Sequence, residues 1–405
     1  MAVAAKSSVD DLAIFGGRKV FSVAKSTSSL AQPEIDIFLK YSKLFFEKKH
    51  YTNNGVLVRL LEERLARFHE VEFCITFCSG FWALALAMKA LALKGKSEIV
   101  MPSLTYRRMA DVAAWVNLTP RFCEVDSKTL ALSEDTVRQC INDQTALILG
   151  VHPIVNCCDV SGLVNISKES SIPLLFDSVE SMFESIPSGK VGQFGEAECF
   201  SMHASKLLNG FEGGYITTNN VKLAKQLSLL RSFGFEGQDN CIVSGGLNAK
   251  LNEIHAGMAL ANLDVLEDLV ADNKVRYKHY QAGLEGLQGV RLIEFDEDHN
   301  SAYKNILIEL LDSWPFSRDQ TVSILNAESI LARAYYSPAL HQKTMLYPNH
   351  ISELPVTSML ASRFLLLPCG DFISDVDIEK IVSLLKFMSL HADNINAGLK
   401  RLEEI

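Results

Sequence analysis

The stretch Cys199–Asn220, CFSMHASKLLNGFEGGYITTNN, decides how the rest of the sequence is interpreted. It holds one lysine in its first half, Lys206, which lies between the short apolar run Glu198–Met202 and the β-like run Tyr215–Thr218. Glycines after the lysine allow another group to approach closely. Desolvation and neighbouring charge can make such an amine a Schiff-base nucleophile. On local spacing alone, an ordinary surface lysine in the loop before a hairpin is the simpler interpretation.

A strand–turn–helix pattern lies upstream of this stretch. Val71–Phe77 is typical of a strand, Cys78-Ser79-Gly80 of a turn, and Phe81–Leu93 of an apolar helix. The free N–H groups and the positive dipole end of such a helix N-terminus suit a phosphate. Taken alone the pattern is weak, because most α/β proteins contain several turns of this kind.

Two polar residues stand next to predicted strands or helices. Asp177 ends the buried-type strand Pro173–Phe176, where a carboxylate points into the crevice at the carboxyl end of a sheet. A helix N-cap is the alternative role for this aspartate. Asn248 precedes a long helix predicted to begin near Leu251, and its simplest role is in capping or in a turn.

Composition restricts the classes of function. The chain has 405 residues, enough for two domains or one large α/β unit, and its 48% hydrophobic and 21% charged residues are typical of a globular protein. A net charge of −9 argues against a nucleic-acid partner bound through its phosphates. No apolar stretch approaches the roughly 20 residues that span a membrane, and the acidic residues near the N-terminus are unlike a secretion signal.

Cysteine and histidine usage predicts a cytoplasmic protein without a metal. Nine cysteines occur with no Cys-x-x-Cys pair, so we expect reduced thiols in a cytoplasmic chain. Ten histidines show no His-x-x-x-His spacing, and we therefore expect no structural metal.

Several stretches together resemble the DegT–StrS family of nucleotide-sugar aminotransferases. Residues 201–214, SMHASKLLNGFEGG, resemble the family signature S-F-H-x-x-K-x-x-x-x-G-E-G-G. Residues 151–159, VHPIVNCCD, resemble its V-H-x-x-G-x-x-x-D loop, and residues 335–341, YYSPALH, resemble its Y-Y-x-P-x-x-H segment. The similarity runs from about Thr52 to about Pro368, which is most of the chain.

The resemblance implies an α/β protein with the aspartate-aminotransferase fold, fold type I. A large mixed-sheet domain flanked by helices binds pyridoxal 5′-phosphate (PLP), and a smaller α+β domain follows it. We expect an N-terminal arm at residues 1–30, the large domain at 31–261 and the small C-terminal domain at 262–405.

Catalytic roles follow from the resemblance for two residues. Lys206 would hold PLP in a covalent Schiff base and afterwards move the proton of the reacting carbon. Asp177 would pair with the protonated pyridine nitrogen, which keeps the ring an electron sink.

Cofactor contacts are implied for further residues. Gly80, Phe81 and Trp82 occupy the segment that surrounds the cofactor phosphate, and Ser201 matches a serine that binds it. Tyr106 would stack flat on the pyridine ring.

Two more residues take roles from the same resemblance. Glu180 would lie near the phenolic oxygen of the cofactor, where an acidic side chain needs a proton or a hydrogen-bond donor to avoid repulsion. Asn248 would reach the cofactor phosphate of a neighbouring subunit, which implies a homodimer with shared active sites.

Three positions depart from the family pattern: Phe81 replaces a threonine, and Val155 and Phe211 replace glycines. These departures leave open a non-catalytic member that uses the fold to bind a partner. A PLP-dependent sugar dehydratase is a second alternative, but dehydratases of this family carry histidine at the position of Lys206.

The sequence therefore predicts an aminotransferase for amino-sugar biosynthesis. It would transfer an amino group from L-glutamate to a keto sugar attached to a nucleotide, such as a 4-keto-6-deoxyhexose. A non-nucleotide ketone such as a cyclitol remains an alternative acceptor, because the sequence offers no physical code for the specificity loops.

Overall fold

The computed structural model describes residues 6–28, 30–237 and 240–403. Residues 1–5 and 29 of the predicted arm and residues 404–405 of the predicted small domain lie outside the described residues, as do 238–239. The described elements form two main sheets with helices packed around them.

Thirteen α-helices lie within the described residues. They are α1 (Ile35–Lys48), α2 (Val56–His69), α3 (Gly80–Leu91), α4 (Met109–Trp115), α5 (Glu134–Arg138), α6 (Val160–Ser170), α7 (Val221–Leu230), α8 (Glu253–Asp264), α9 (Leu266–Leu284), α10 (Arg318–Ala327), α11 (Pro355–Ala361), α12 (Asp375–Leu390) and α13 (Ala392–Glu403). Short 3-10 helices occur at Val9–Asp11, Ala13–Phe15 and Leu340–Gln342.

A seven-stranded mixed sheet forms the first core. Its strands lie side by side in the order Phe73–Phe77, Gly214–Thr218, Ala197–Ser201, Leu174–Asp177, Thr145–Val151, Glu98–Pro102 and Thr119–Cys123. Gly214–Thr218 runs antiparallel to both of its neighbours, and the other neighbouring pairs are parallel. The carboxyl ends of the parallel strands therefore share one edge, where α/β proteins bind ligands.

A four-stranded antiparallel sheet forms the second core, and its strands lie in the order Val290–Leu292, Ile306–Leu310, Phe364–Leu367 and Arg333–Ala334. Three two-residue strand pairs complete the set: Lys25–Ser26 with Ile330–Leu331, Ser185–Ile186 with Gly189–Lys190, and Phe235–Glu236 with Asn240–Cys241.

The helix α2 shows how the sequence orders the first core. Its buried apolar side chains recur at helical spacing and include Leu57, Leu61 and Leu65. Its first N–H groups donate to the buried carboxylate of Glu253 in α8, from Leu57 at 2.7 Å. A Cβ on Gly55 would lie 2.4 Å from the carboxyl carbon of Glu253, so only glycine fits before this helix.

The predicted N-terminal arm packs on the second core rather than extending away from it. Lys25–Ser26 pairs in parallel with Ile330–Leu331. The fully buried carboxylate of Glu328 accepts hydrogen bonds from the backbone of Ala13 at 2.7 Å and of Val20 at 2.9 Å. The division into domains stays a prediction.

One cysteine pair departs from the expectation of reduced thiols throughout. The structure joins Cys123 and Cys140 as a disulfide, with Cα atoms 6.2 Å apart, while the other seven cysteines are unpaired. The fold brings this pair together across 17 residues of sequence, and no spacing motif marks it. Within the described ranges, no helix has the length and apolar character to cross a membrane.

Candidate active site

Predicted site residues converge where the parallel strands of the first sheet end. Asp177 lies opposite Val151 on one side and Cys199 on the other, and Ser201 lies opposite Gly214. The register therefore delivers Asp177 and Ser201 to the same edge of the sheet. The helix α3 begins at this edge, directly after the outer strand Phe73–Phe77.

An anion-binding cradle forms between Ser201 and the start of α3. A Cβ on Gly80 would lie 3.0 Å from the Cβ of Ser201 and 3.2 Å from its Oγ, so glycine permits this approach. Ser79 caps the helix by accepting from the Trp82 N–H at 3.3 Å. Within the described part of the chain, the N–H groups of Gly80 and Phe81 have no protein acceptor. A phosphate fits here, because two N–H donors, a hydroxyl and the helix dipole face the same space.

A buried ion cluster lies beside this cradle. The ammonium of Lys206 donates to Oε1 of Glu180, and the ammonium of Lys304 donates to Oε2 of Glu180 at 2.9 Å. The backbone N–H of Lys206 donates to the carbonyl of His203 at 2.8 Å, which fixes the turn that carries the lysine. The acidic side chain of Glu180 was predicted to need a proton or a hydrogen-bond donor, and Lys206 and Lys304 are two such donors.

The electrostatics of this cluster favour charged groups. Burial alone would raise the pKa of Glu180, but the ammonium groups of Lys206 and Lys304 outweigh it and lower the pKa to about 2. Burial would lower the pKa of Lys206, but Glu180 outweighs this effect and raises it above the ordinary lysine value. In this state Lys206 is protonated and paired with Glu180. Its side chain must leave Glu180 before it can act as a nucleophile.

Asp177 is a buried carboxylate that suits a cationic ring nitrogen. Burial raises its pKa to about 6. Two effects lower the pKa in part: the Val179 N–H donates to its Oδ1 at 3.1 Å, and the positive charge of Lys206 favours the carboxylate. Asp177 lies three residues before Glu180, whose carboxylate accepts from Lys206, so both residues belong to the same end of the sheet. A pyridinium beside Asp177 would supply a matching positive charge, and the residues present therefore fit PLP.

The aromatic candidates occupy different places. Tyr106 is 51% exposed and faces the charged cluster, since its phenol contributes to the raised pKa of Lys206. The rings of Phe81 and Trp82 meet edge to face at 5.2 Å, and Trp82 packs further on Trp115 at 5.6 Å. Only the backbone of Phe81 belongs to the cradle, so the missing threonine hydroxyl removes no backbone donor.

Asn248 lies on the exposed surface of this chain. It forms an isolated bridge with Ser232, and the carbonyl of the next residue, Ala249, accepts from the Cys78 N–H at 2.7 Å. The segment thus borders the turn before α3, while the amide itself is open to solvent.

Two functional candidates were missed from the sequence alone. Lys304 was not singled out, because a lysine before a strand carries no recognisable spacing. Tyr336 is not among the predicted site residues; its ring packs on Tyr335 at 4.4 Å, and burial, with Tyr335, Glu180 and Asp177, raises its pKa. His341, by contrast, is held by hydroxyl groups on both ring nitrogens, Ser103 Oγ at 2.6 Å and Ser358 Oγ at 2.9 Å.

The departure at Phe211 is accommodated by the backbone. Phe211 has a φ of +63°, in the left-handed region where glycine is easiest. Its ring makes edge contacts with Phe38 at 5.9 Å and with His255 at 6.1 Å. The turn after Lys206 therefore keeps a conformation that suits glycine and adds side-chain packing. Val155, the third departure from the family pattern, is a buried residue with 5% exposure.

Comparison with solved structures identifies the class of protein. The structure of DesI in the presence of its TDP-sugar product matches with a TM-score of 0.91 at 29% sequence identity, covering 97% of this chain and 100% of that chain. The solved structures that resemble this chain share the fold type I architecture. The chain is a PLP-dependent transaminase.

The chain belongs to the DegT/DnrJ/EryC1/StrS aminotransferase family, whose sequence model matches residues 37–386. The dTDP-4-amino-4,6-dideoxy-D-glucose transaminase of Shigella dysenteriae is 27% identical over 357 residues, which cover 87% of this chain and 96% of the relative. The L-glutamine:2-deoxy-scyllo-inosose aminotransferase of Streptomyces fradiae is 30% identical over 243 residues, or 56% of each chain. The predicted family and fold class are confirmed.

Proposed function

We propose that this enzyme transfers the amino group of L-glutamate to the ketone of a nucleotide-linked sugar, such as a 4-keto-6-deoxyhexose. The observation that carries the proposal is that Asp177, Ser201 and the start of α3 meet at one edge of the first sheet, where Lys206 donates to Glu180. The sugar substrate is supported by the dTDP-sugar transaminase and by DesI, both of which match nearly over their full length.

The proposed roles follow from where each group lies. When bound, PLP supplies an aldehyde for amine exchange and a ring that withdraws electrons from the reacting carbon. Lys206 is the residue that would hold the aldehyde of PLP, and once released its amine would carry a proton to and from the reacting carbon. Asp177 holds the protonated ring nitrogen. Ser201 and the N–H groups of Gly80 and Phe81 hold the phosphate.

Remaining contacts shape the site around the ring. Tyr106 covers one face of the ring and excludes water from it. Glu180 would lie near the phenolic oxygen of PLP, and the lysines that donate to both of its oxygens would lessen the repulsion there. Trp82 supports the cradle through its N–H bond to Ser79.

A cyclitol ketone is the second candidate acceptor. The inosose aminotransferase of Streptomyces fradiae favours it, although that match covers only 56% of each chain. The nucleotide-linked sugar remains our first choice, because its supporting relative is matched over 96% of its length.

We also propose a homodimer that shares its active sites. Asn248 is exposed, and large apolar side chains near it in sequence, Phe233, Phe235 and Ile242, are exposed as well. A second copy of the chain would cover such a surface and bring Asn248 to its phosphate. A cytoplasmic location is our further proposal, supported by the seven unpaired cysteines.

Replacing Lys206 with alanine should remove the covalent link to the cofactor. We expect the absorbance band of lysine-linked PLP to disappear, borohydride to leave no pyridoxyl label, and turnover to fall at least about 1000-fold. Lys168→Ala, at an exposed position in α6, is the matched control and should behave as wild type. Retained turnover in Lys206→Ala would refute the assignment.

Asp177→Asn tests the charge opposite the ring nitrogen. We expect turnover to fall at least about 100-fold and PLP to bind more weakly. Because the pKa of Asp177 is about 6, its carboxylate gains a proton as the pH falls through 6 and loses its pairing charge. The affinity ratio of wild type to variant should therefore be largest above pH 7 and shrink below about 6. Asp159→Asn, which alters the cap of α6 and a bond from the Glu134 N–H, is the control.

A substrate panel distinguishes the candidate acceptors. With L-glutamate as donor, we expect 2-oxoglutarate release in the presence of a dTDP-linked 4-keto-6-deoxyhexose at a kcat/KM at least about 100-fold above that with 2-deoxy-scyllo-inosose. Lys206→Ala supplies the blank for every pair. Faster turnover of the cyclitol, with either glutamate or glutamine, would overturn the choice of a sugar nucleotide.

Mixing two impaired variants tests the shared site. A Lys206→Ala chain can still donate its Asn248 to an Asn248→Ala partner, which keeps its own Lys206. If half of the randomly reassorted dimers are mixed and each has one intact site, activity should recover to about a quarter of wild type. If the asparagine serves its own chain, mixing gives only the average of the two separate activities.

A further inference from the structure

Lys304 is a buried cation that so far serves only as a partner of Glu180, with no part in the reaction itself. It is 5% exposed, and its ammonium lies 2.9 Å from Oε2 of Glu180, while Lys206 occupies the other oxygen. Glu180 follows a strand of the first sheet. Lys304 lies just before the strand Ile306–Leu310 of the second sheet, so the ion pair joins the two cores.

The backbone around Lys304 is fixed by its neighbours. The amide of Asn305 donates to the carbonyl of Ile154 at 3.3 Å, in the loop that follows a strand of the first sheet. Tyr303 has a φ of +50°, a costly conformation for a bulky residue, and its ring packs on Phe295 at 5.0 Å. Such strain persists only where surrounding contacts over-determine it, and here it lies directly before Lys304.

The two lysines cannot contribute equally during a reaction cycle. Lys206 must release Glu180 to act as a nucleophile and proton carrier. A buried carboxylate that loses its only counter-ion takes up a proton, because burial penalises its charged form. Glu180 escapes this outcome only if a second cation stays in place.

We propose that Lys304 is a positioning residue that keeps Glu180 ionised and fixed in orientation while Lys206 takes part in the reaction. The proposal rests on the cofactor role proposed for Lys206. An ionised Glu180 remains a hydrogen-bond acceptor beside the released amine of Lys206 and directs it toward the reacting carbon. A protonated Glu180 would instead donate a hydrogen bond and lose its hold on both lysines.

Apart from Asp177, the other titratable groups around Glu180 have pKa values far above neutral. Burial raises the pKa of Tyr335 and Tyr336 far above neutral, and it raises the pKa of Cys369 to about 11. Burial raises the pKa of Asp177 to about 6, and this group is present in every variant considered below. With both lysines, the pKa of Glu180 is about 2, so wild type should show no Glu180 titration above pH 5.

The test is to remove the charge of Lys304 while keeping its length. In Lys304→Met, Glu180 should titrate with a new midpoint between about pH 5 and 8, since loss of a nearby cation raises a carboxyl pKa. We expect kcat to fall about tenfold or more below this midpoint and to recover above it. The absorbance of bound PLP should change with the same midpoint, which gives a readout independent of turnover.

Three further variants show that the effect passes through Glu180. Lys304→Arg keeps the charge and should lack the new midpoint. The double variant Lys304→Met with Glu180→Gln should also lack it, because no carboxyl remains to titrate. Lys25→Met removes a cation from another ion pair, with Asp377 at 2.7 Å, that does not include Glu180, and should leave both pH profiles as in wild type.

Several results would overturn the proposal. One is that neither Lys304→Met nor Lys304→Gln, which keeps a neutral donor, shows a new midpoint. Another is that the new midpoint persists in the double variant Lys304→Met with Glu180→Gln. If both neutral variants fail to fold while Lys25→Met folds, Lys304 is a structural ion and the proposal is wrong. A wild-type protein without lysine-linked PLP would instead refute the proposed function, so the two failures are distinguishable.

Discussion

One buried carboxylate held between two ammonium groups organises this protein. Taking Glu180 out of water is costly, and the cost is offset only because lysines from opposite directions reach both of its oxygens. Lys206 comes from the turn after the first sheet, and Lys304 comes from the start of a strand in the second. The relative placement of the two cores is therefore tied to the charge balance of the site.

The cradle beside this cluster depends on backbone geometry more than on side-chain identity. The helix α3 starts where the strands end, so its unpaired N–H groups point into the space that Asp177 and Lys206 also face. Glycine at position 80 lets Ser201 approach the helix start. Because the donors belong to the main chain, a phenylalanine at position 81 preserves the arrangement that a threonine would otherwise support.

Strands of the first sheet could be predicted because their signals are local, whereas the roles of the site residues came from the resemblance of several stretches to a known family. A strand ending in Asp177 and a strand–turn–helix run into α3 each occupy a few consecutive residues, and the structure has both. Lys304 meets Glu180 across 124 residues, and Cys123 meets Cys140 across 17, so no local pattern marks either contact. The long helix predicted from Leu251 is two helices that meet at Val265, a break that no proline or glycine announces.

The segment at the start of the described chain carries a consequence for protein engineering. Glu328 has no solvent contact and is neutralised by Lys6 at 2.8 Å, with the backbone of Ala13 and Val20 as further donors. A truncation that removed residues 6–28 would take away the ammonium and both N–H donors that hold this carboxylate. An affinity tag is therefore better attached without trimming residues 6–28, because this segment covers and neutralises Glu328.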